Sequence, residues 1–137
     1  MKSAGIKVGL FALLFGGIAS AEELYVCKFK EVKANGGWMP AEVYIGFKSE
    51  VDEVVVFDPL IKYFVGEPIP GKISVDNPKR ITFTWFIDGT VDRAKQFAKM
   101  EYRLTYLKGT KSASMTGQAL GFLGPYASQG ACAIQKK

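Results

Sequence analysis

Two cysteines near opposite ends of the chain restrict its fold more than any other feature of the sequence. Cys27 and Cys132 are the only cysteines, and 105 positions separate them. If they are oxidised, only one pairing exists, and the bridge holds their Cα atoms about 5–6 Å apart. The segments that begin and end the folded chain then become neighbours. A closed barrel satisfies this constraint, and so does a sandwich whose terminal strands lie close together.

The N-terminal residues predict a compartment in which such a disulfide persists. Lys2 and Lys7 give a positively charged start, residues 8–18 form an apolar run, and residues 19–21 are the small residues Ala-Ser-Ala. This is the pattern of a secretory signal peptide, so we expect cleavage after Ala21 and a periplasmic or secreted protein, where disulfides form. A transmembrane anchor needs about 20 apolar residues, and we therefore expect no membrane span after cleavage.

Removing residues 1–21 leaves residues 22–137, a length that suits a single domain. The loss of Lys2 and Lys7 lowers the formal net charge from +5 to +3. The remaining basic residues are scattered among acidic ones, whereas a nucleic-acid-binding domain concentrates them on one face. The charge pattern predicts no nucleic-acid partner.

Alternation of apolar and polar residues is the dominant pattern in the mature chain. In residues 98–106 the apolar positions recur at every second residue, which is typical of a half-buried strand. Similar short runs are separated by residues that favour turns. They predict about eight or nine strands, near residues 23–30, 41–48, 53–57, 60–65, 71–76, 80–88, 98–108, 111–120 and 127–134. The predicted fold is all-β, a small antiparallel barrel of about eight strands or a sandwich, closed by the disulfide between the N- and C-terminal segments.

Local signals add three expectations. Asp88-Gly89 and Lys108-Gly109 favour tight hairpin turns. Gly117 favours a tight, curved packing site within a strand. Residues 90–99 are the one candidate helix, and the alternative there is a loop that leads into the next strand.

The sequence contains no histidine, which removes the commonest metal ligand and the commonest general base. The remaining candidates for chemistry are the carboxylates Glu50, Asp52, Glu53 and Asp58, which could act as an acid–base pair in a hydrolase. Their spacing matches no calcium-binding loop. We therefore predict no catalytic, cofactor-binding or metal-binding residues, and a non-enzymatic protein, with a carboxylate-dependent hydrolase as the less favoured alternative.

Three aromatic residues are candidate contact residues for a partner. Trp38 lies in a Gly-Gly-Trp-Met-Pro loop, Phe122 lies in the loop of residues 121–125, and Phe86 interrupts the polar face of its strand. The leading hypothesis is a protein that binds a partner protein or an envelope component. The alternative is a lipocalin-like carrier of a small apolar ligand, which requires an unfilled barrel interior.

The two ends of the chain resemble those of the small periplasmic inhibitors of c-type lysozyme. The shared features are the export signal, Tyr25-Val26-Cys27 near the mature N-terminus, and the late Cys132. The resemblance implies an antiparallel eight-stranded barrel. The inhibitory loop of that family carries a Ser-Gly-x-x-Tyr type motif that has no copy in this chain, so the resemblance implies the fold and not the inhibitory residues. The chain also resembles exported β-domain proteins of Gram-negative bacteria.

Overall fold

The computed structural model describes residues 22–91, 97–121 and 124–136. In these residues there are nine strands, one α-helix and a one-turn 3₁₀ helix over Lys33–Asn35. The strands and the α-helix, in chain order, are β1 (Glu22–Phe29), β2 (Glu42–Lys48), β3 (Glu53–Phe57), α1 (Pro59–Phe64), β4 (Ile69–Pro70), β5 (Lys72–Asp76), β6 (Arg80–Val91), β7 (Phe97–Leu107), β8 (Ser112–Ala119) and β9 (Tyr126–Lys136).

The strands form one antiparallel sheet in the order β4-β3-β2-β1-β9-β8-β7-β6-β5, which curls into a nearly closed barrel. The first and last strands are hydrogen-bonded neighbours in the middle of this order, and Cys27 lies directly opposite Cys132. The two residues form a disulfide with a Cα–Cα distance of 4.0 Å. The all-β prediction and the disulfide are confirmed, and the barrel is the architecture adopted.

The barrel closes through residues 69–76, which pair first with one edge of the sheet and then with the other. β4 pairs with β3 and β5 pairs with β6. Gly71 lies between them, and its N–H donates to the carbonyl of Val54 (3.0 Å). A Cβ atom at Gly71 would lie 2.9 Å from Cγ2 of Val56 and 3.2 Å from the carbonyl oxygen of Thr84. Glycine is required there because two sheet edges converge on one backbone position.

Aromatic side chains pack against one another in the barrel interior. The ring of Tyr25 lies 5.2 Å from that of Phe83 and 5.5 Å from that of Tyr106, both in edge-to-face geometry. The rings of Trp85 and Tyr102 are stacked at 5.8 Å. All five residues are buried, and such pairs add stability beyond the area they bury.

Gly117 of β8 is a close-packing site, as predicted. A Cβ atom there would lie 2.7 Å from Cε1 of Tyr102 and 2.9 Å from Sδ of Met39. The Tyr102 ring therefore occupies the space that a side chain at position 117 would fill. The Lys108-Gly109 turn is also confirmed, because residues 108–110 connect β7 to β8 as a turn.

The predicted strand over residues 60–65 is wrong, since residues 59–64 form α1. The carboxylate of Asp58 accepts a hydrogen bond from the Ile61 N–H (2.8 Å), and Pro59 occupies the first turn. Asp at the N-cap and Pro just inside it are both favoured at a helix start. The Asp58-Pro59 pair thus begins a helix.

The predicted hairpin at Asp88-Gly89 is also wrong. β6 continues to Val91, with a shift in its pairing register between Ile87 and Thr90. Gly89 has a φ of 73°, so it supplies the left-handed conformation of a bulge within the strand. Of the candidate helix over residues 90–99, residues 90, 91 and 97–99 are strand, and residues 92–96 lie outside the described part.

The predicted signal peptide, residues 1–21, also lies outside the described part of the chain. Within that part, no helix has the length and apolar composition needed to cross a membrane.

Candidate functional site

One end of the barrel is covered by α1 and by the connection from β1 to β2. The two lie together because neighbouring strands are antiparallel, so β1 and β3 end at the same rim of the sheet. Ile61 of α1 is buried against the core. The ring of Phe64 stacks parallel to that of Trp38, with 6.0 Å between centroids. The ring of Tyr63 lies edge-on to Phe64 at 4.9 Å.

We call Trp38, Tyr63 and Phe64 the aromatic surface. Tyr63 is 81% exposed, whereas Trp38 and Phe64 are half-buried. Tyr63 packs edge-on against Phe64, which in turn stacks on Trp38, and aromatic side chains present apolar area at a low cost in side-chain entropy.

Three hydrogen bonds fix the loop that carries Trp38. The Trp38 N–H donates to the carbonyl of Asn35 (3.0 Å), and the Asn35 side-chain amide donates to the carbonyl of Ala127 in β9 (2.9 Å). The hydroxyl of Tyr102 donates to the carbonyl of Trp38 (2.8 Å). Trp38 lies in a hydrogen-bonded loop, with one ring face against Phe64, and its role as a contact residue stays a prediction.

Asp58 is buried at the N-cap of α1. Its Oδ1 atom caps α1, and its Oδ2 atom is buried without a hydrogen-bond partner among the described residues. Burial raises the pKa of Asp58 to about 6, although the N–H groups of Ile61 and Leu60 favour the charged form. Burial, with a smaller effect from the Asp58 charge, raises the pKa of Tyr102 as well. A titratable carboxyl group thus lies at the start of the helix that carries Tyr63 and Phe64.

A second feature, which we call the outer cleft, lies on the outside of the barrel and has a volume of about 530 Å³. Its apolar lining includes Val65, Ile69, Pro70 and Phe86. Phe86 is 42% exposed and faces outward because Trp85 and Ile87, on either side of it, face the core. The structure therefore places Phe86 in the outward-facing lining of this cleft, and its role as a contact residue stays a prediction.

Charged groups surround this apolar lining. The Lys99 ammonium lies 4.6 Å from the centroid of the Phe86 ring and 3.8 Å from a carboxylate oxygen of Asp88. Lys72 also lines the outer cleft, and in the described part of the chain its side chain makes no ion pair. The outer cleft is apolar with an excess of positive charge.

The structure separates the four candidate carboxylates. Glu50, Asp52 and Glu53 are exposed at the turn between β2 and β3, whereas Asp58 follows the far end of β3 and is buried. Among residues 22–91, 97–121 and 124–136, no group of three or more His, Cys, Asp or Glu side chains is arranged to hold a metal ion.

Of the three predicted contact residues, Trp38 lies in the aromatic surface and Phe86 in the outer cleft, while Phe122 lies outside the described residues. Tyr63 and Val65 have no counterpart among the predicted site residues. The sequence signal for both residues is Asp58 followed by Pro59, which together favour a helix start. A six-residue helix with Ile61 facing inward turns its other side chains to solvent.

No family model matches this sequence, and no curated protein or solved structure is significantly similar to it.

Proposed function

We propose that this chain is an exported, non-enzymatic binding protein of the bacterial envelope that contacts a partner protein through the aromatic surface. The observation that carries the proposal is Tyr63, which is 81% exposed and packs on Phe64, whose ring stacks in turn on Trp38. Tyr and Trp are enriched among the residues that dominate protein–protein binding energies, and exposed apolar clusters mark interaction sites.

The packed interior supports binding on the surface over carriage of a ligand inside the barrel. The buried ring of Tyr25 in β1 contacts rings of β6 and β7 across the barrel interior, and a lipocalin-like carrier needs that space for its ligand. The absence of histidine and the separation of Asp58 from the carboxylates of the β2–β3 turn support a non-enzymatic role.

Export is the second part of the proposal. The Cys27–Cys132 disulfide is compatible with an oxidising compartment, and residues 1–21 have the composition of a signal peptide. When the full chain is expressed in a Gram-negative host, we expect mass spectrometry of the exported protein to give an N-terminus at Glu22 and no free thiol. Ala21→Arg removes the small residue before the cut and should leave uncleaved precursor. A wild-type protein recovered with residues 1–21 attached would contradict the proposal.

Partner capture tests the aromatic surface. Tagged residues 22–137 serve as bait in an envelope extract, with quantitative mass spectrometry as the readout. We expect Tyr63→Ser and Trp38→Ala to lower recovery of the captured protein by about tenfold or more, the loss typical of a central aromatic contact residue. Leu107→Ser is the matched control, because Leu107 is an exposed apolar residue (41%) that pairs with Arg80 at the opposite end of the barrel.

The same assay separates the candidate partners. Purified peptidoglycan and lipid vesicles test the envelope components, and immobilised c-type lysozyme tests the partner that the resemblance implies. Equal recovery of every protein by wild type, Tyr63→Ser and Trp38→Ala would reject the aromatic surface as the binding site.

A further inference from the structure

The turn between β2 and β3 has a chemical character opposite to that of the outer cleft. Val51 is 52% exposed, and its neighbours Glu50, Asp52 and Glu53 are all exposed. Asp52 has a φ of 54°, a left-handed conformation that fixes the shape of a tight turn. The turn therefore presents one apolar side chain surrounded by three carboxylates, which we call the acidic turn.

The outer cleft is complementary to the acidic turn in both polarity and charge. Its apolar lining of Val65, Ile69 and Phe86 suits an apolar side chain, and Lys72 supplies an ammonium without an ion-pair partner among the described residues. A volume of about 530 Å³ exceeds what one side chain requires and suits a segment of several residues. Opposite charges across an interface select the partner and its register.

The acidic turn and the outer cleft belong to neighbouring parts of the barrel. β3 follows the acidic turn directly, and the carbonyl of Val54 in β3 accepts a hydrogen bond from the N–H of Gly71, which lines the outer cleft. Two different surfaces of one molecule can pair across a two-fold axis, so that the turn of each copy enters the cleft of the other. Such an isologous contact closes after two copies and forms twice in each dimer.

We propose that the outer cleft binds the acidic turn of a second copy of this chain, with Val51 against Phe86 and with Lys72 facing the carboxylates of Glu50 and Glu53. The resulting symmetric dimer leaves the aromatic surface to a different protein. This proposal goes beyond the proposed function and does not depend on it.

Sedimentation velocity of residues 22–137 over a range of concentrations tests the dimer. We expect wild type to convert from monomer to dimer as its concentration rises. Phe86→Ser and Lys72→Glu should each raise the dissociation constant about tenfold or more, a change of about 1.4 kcal/mol. Lys30→Glu is the matched control, because Lys30 is an exposed lysine outside the outer cleft. All three substituted residues are exposed, and circular dichroism of each variant checks its folding.

A charge exchange makes the test specific to the two surfaces. The double variant Glu50→Lys, Glu53→Lys should be monomeric alone, as should Lys72→Glu, because each places like charges in both contacts. Their mixture should form a heterodimer, since one contact is then wild type and the other has both charges exchanged. A monomer at every wild-type concentration overturns the proposal, and so does a dimer that resists Lys72→Glu or a mixture that stays monomeric. Retention of the dimer in Tyr63→Ser separates this result from the partner-capture result.

Discussion

Replacing both Cys27 and Cys132 with alanine is expected to lower the free energy of unfolding by about 4–5 kcal/mol. The disulfide closes a loop of 105 residues, and the chain-entropy stabilisation grows with the length of the closed loop. Since a domain of this size is stable by only about 5–15 kcal/mol, the double variant should unfold at a much lower urea concentration. Urea denaturation followed by tryptophan fluorescence measures the change.

Wild-type protein under a thiol reductant is the matched control, because it loses the bridge and keeps both side chains. It should unfold at nearly the same urea concentration as the double variant. An unchanged unfolding midpoint in both samples would contradict the prediction, because the disulfide would then add no stability.

Asp58 is expected to make the protein less stable as the pH rises from about 4 to about 7.5. Burial raises its pKa in the folded state to about 6, above the ordinary value near 3.9 that it has in the unfolded chain. A raised pKa means that the folded protein holds the proton more tightly. The stabilisation is therefore complete below the unfolded pKa and is lost as the pH rises through about 6, a loss of about 3 kcal/mol at roughly 1.4 kcal/mol per pKa unit.

Asp58→Asn isolates this contribution because asparagine also caps helices well and does not titrate. Urea denaturation at several pH values should show wild type losing more stability than Asp58→Asn over this interval, by about 3 kcal/mol. Taking the difference between the two proteins cancels the titration of their other carboxyl groups. Parallel pH profiles would mean that the Asp58 carboxyl is solvated in the folded protein.

The strands and the disulfide were predictable because strong local patterns agreed with the tertiary structure. In β6 the apolar residues recur at every second position, and Ile81, Phe83 and Trp85 are buried as that period requires. Two cysteines allow one pairing. Short apolar runs carry less information, and residues 60–65 are an example. A run of that length fits a strand and one turn of helix equally well, and the deciding residue is the capping Asp58 that precedes it.

The candidate site was less predictable because it depends on contacts between distant segments. The exposure of Phe86 in a cleft results from the bend at Gly71 and from the end of α1 near Val65, and no spacing in the sequence brings these together. Trp38 was identified by its loop, but its packing against Phe64 requires a helix that the apolar pattern concealed. The sequence identified Trp38 and Phe86, but it did not identify the residues that pack around them.

The path of the chain around the barrel restricts how the protein can unfold. Sulfur joins β1 to β9, and main chain through Gly71 joins the strand pairs β3–β4 and β5–β6. From Cys27 to Cys132 the polypeptide is thus a covalent ring, in which the first and last strands are joined to each other. An open sheet frays from its outermost strands inward, but here the two outermost strands, β4 and β5, are tethered to each other by main chain through Gly71. Detaching a strand requires the rupture of hydrogen bonds between two strands that stay covalently tethered. In the oxidised barrel we therefore expect the loops to open locally before any strand detaches.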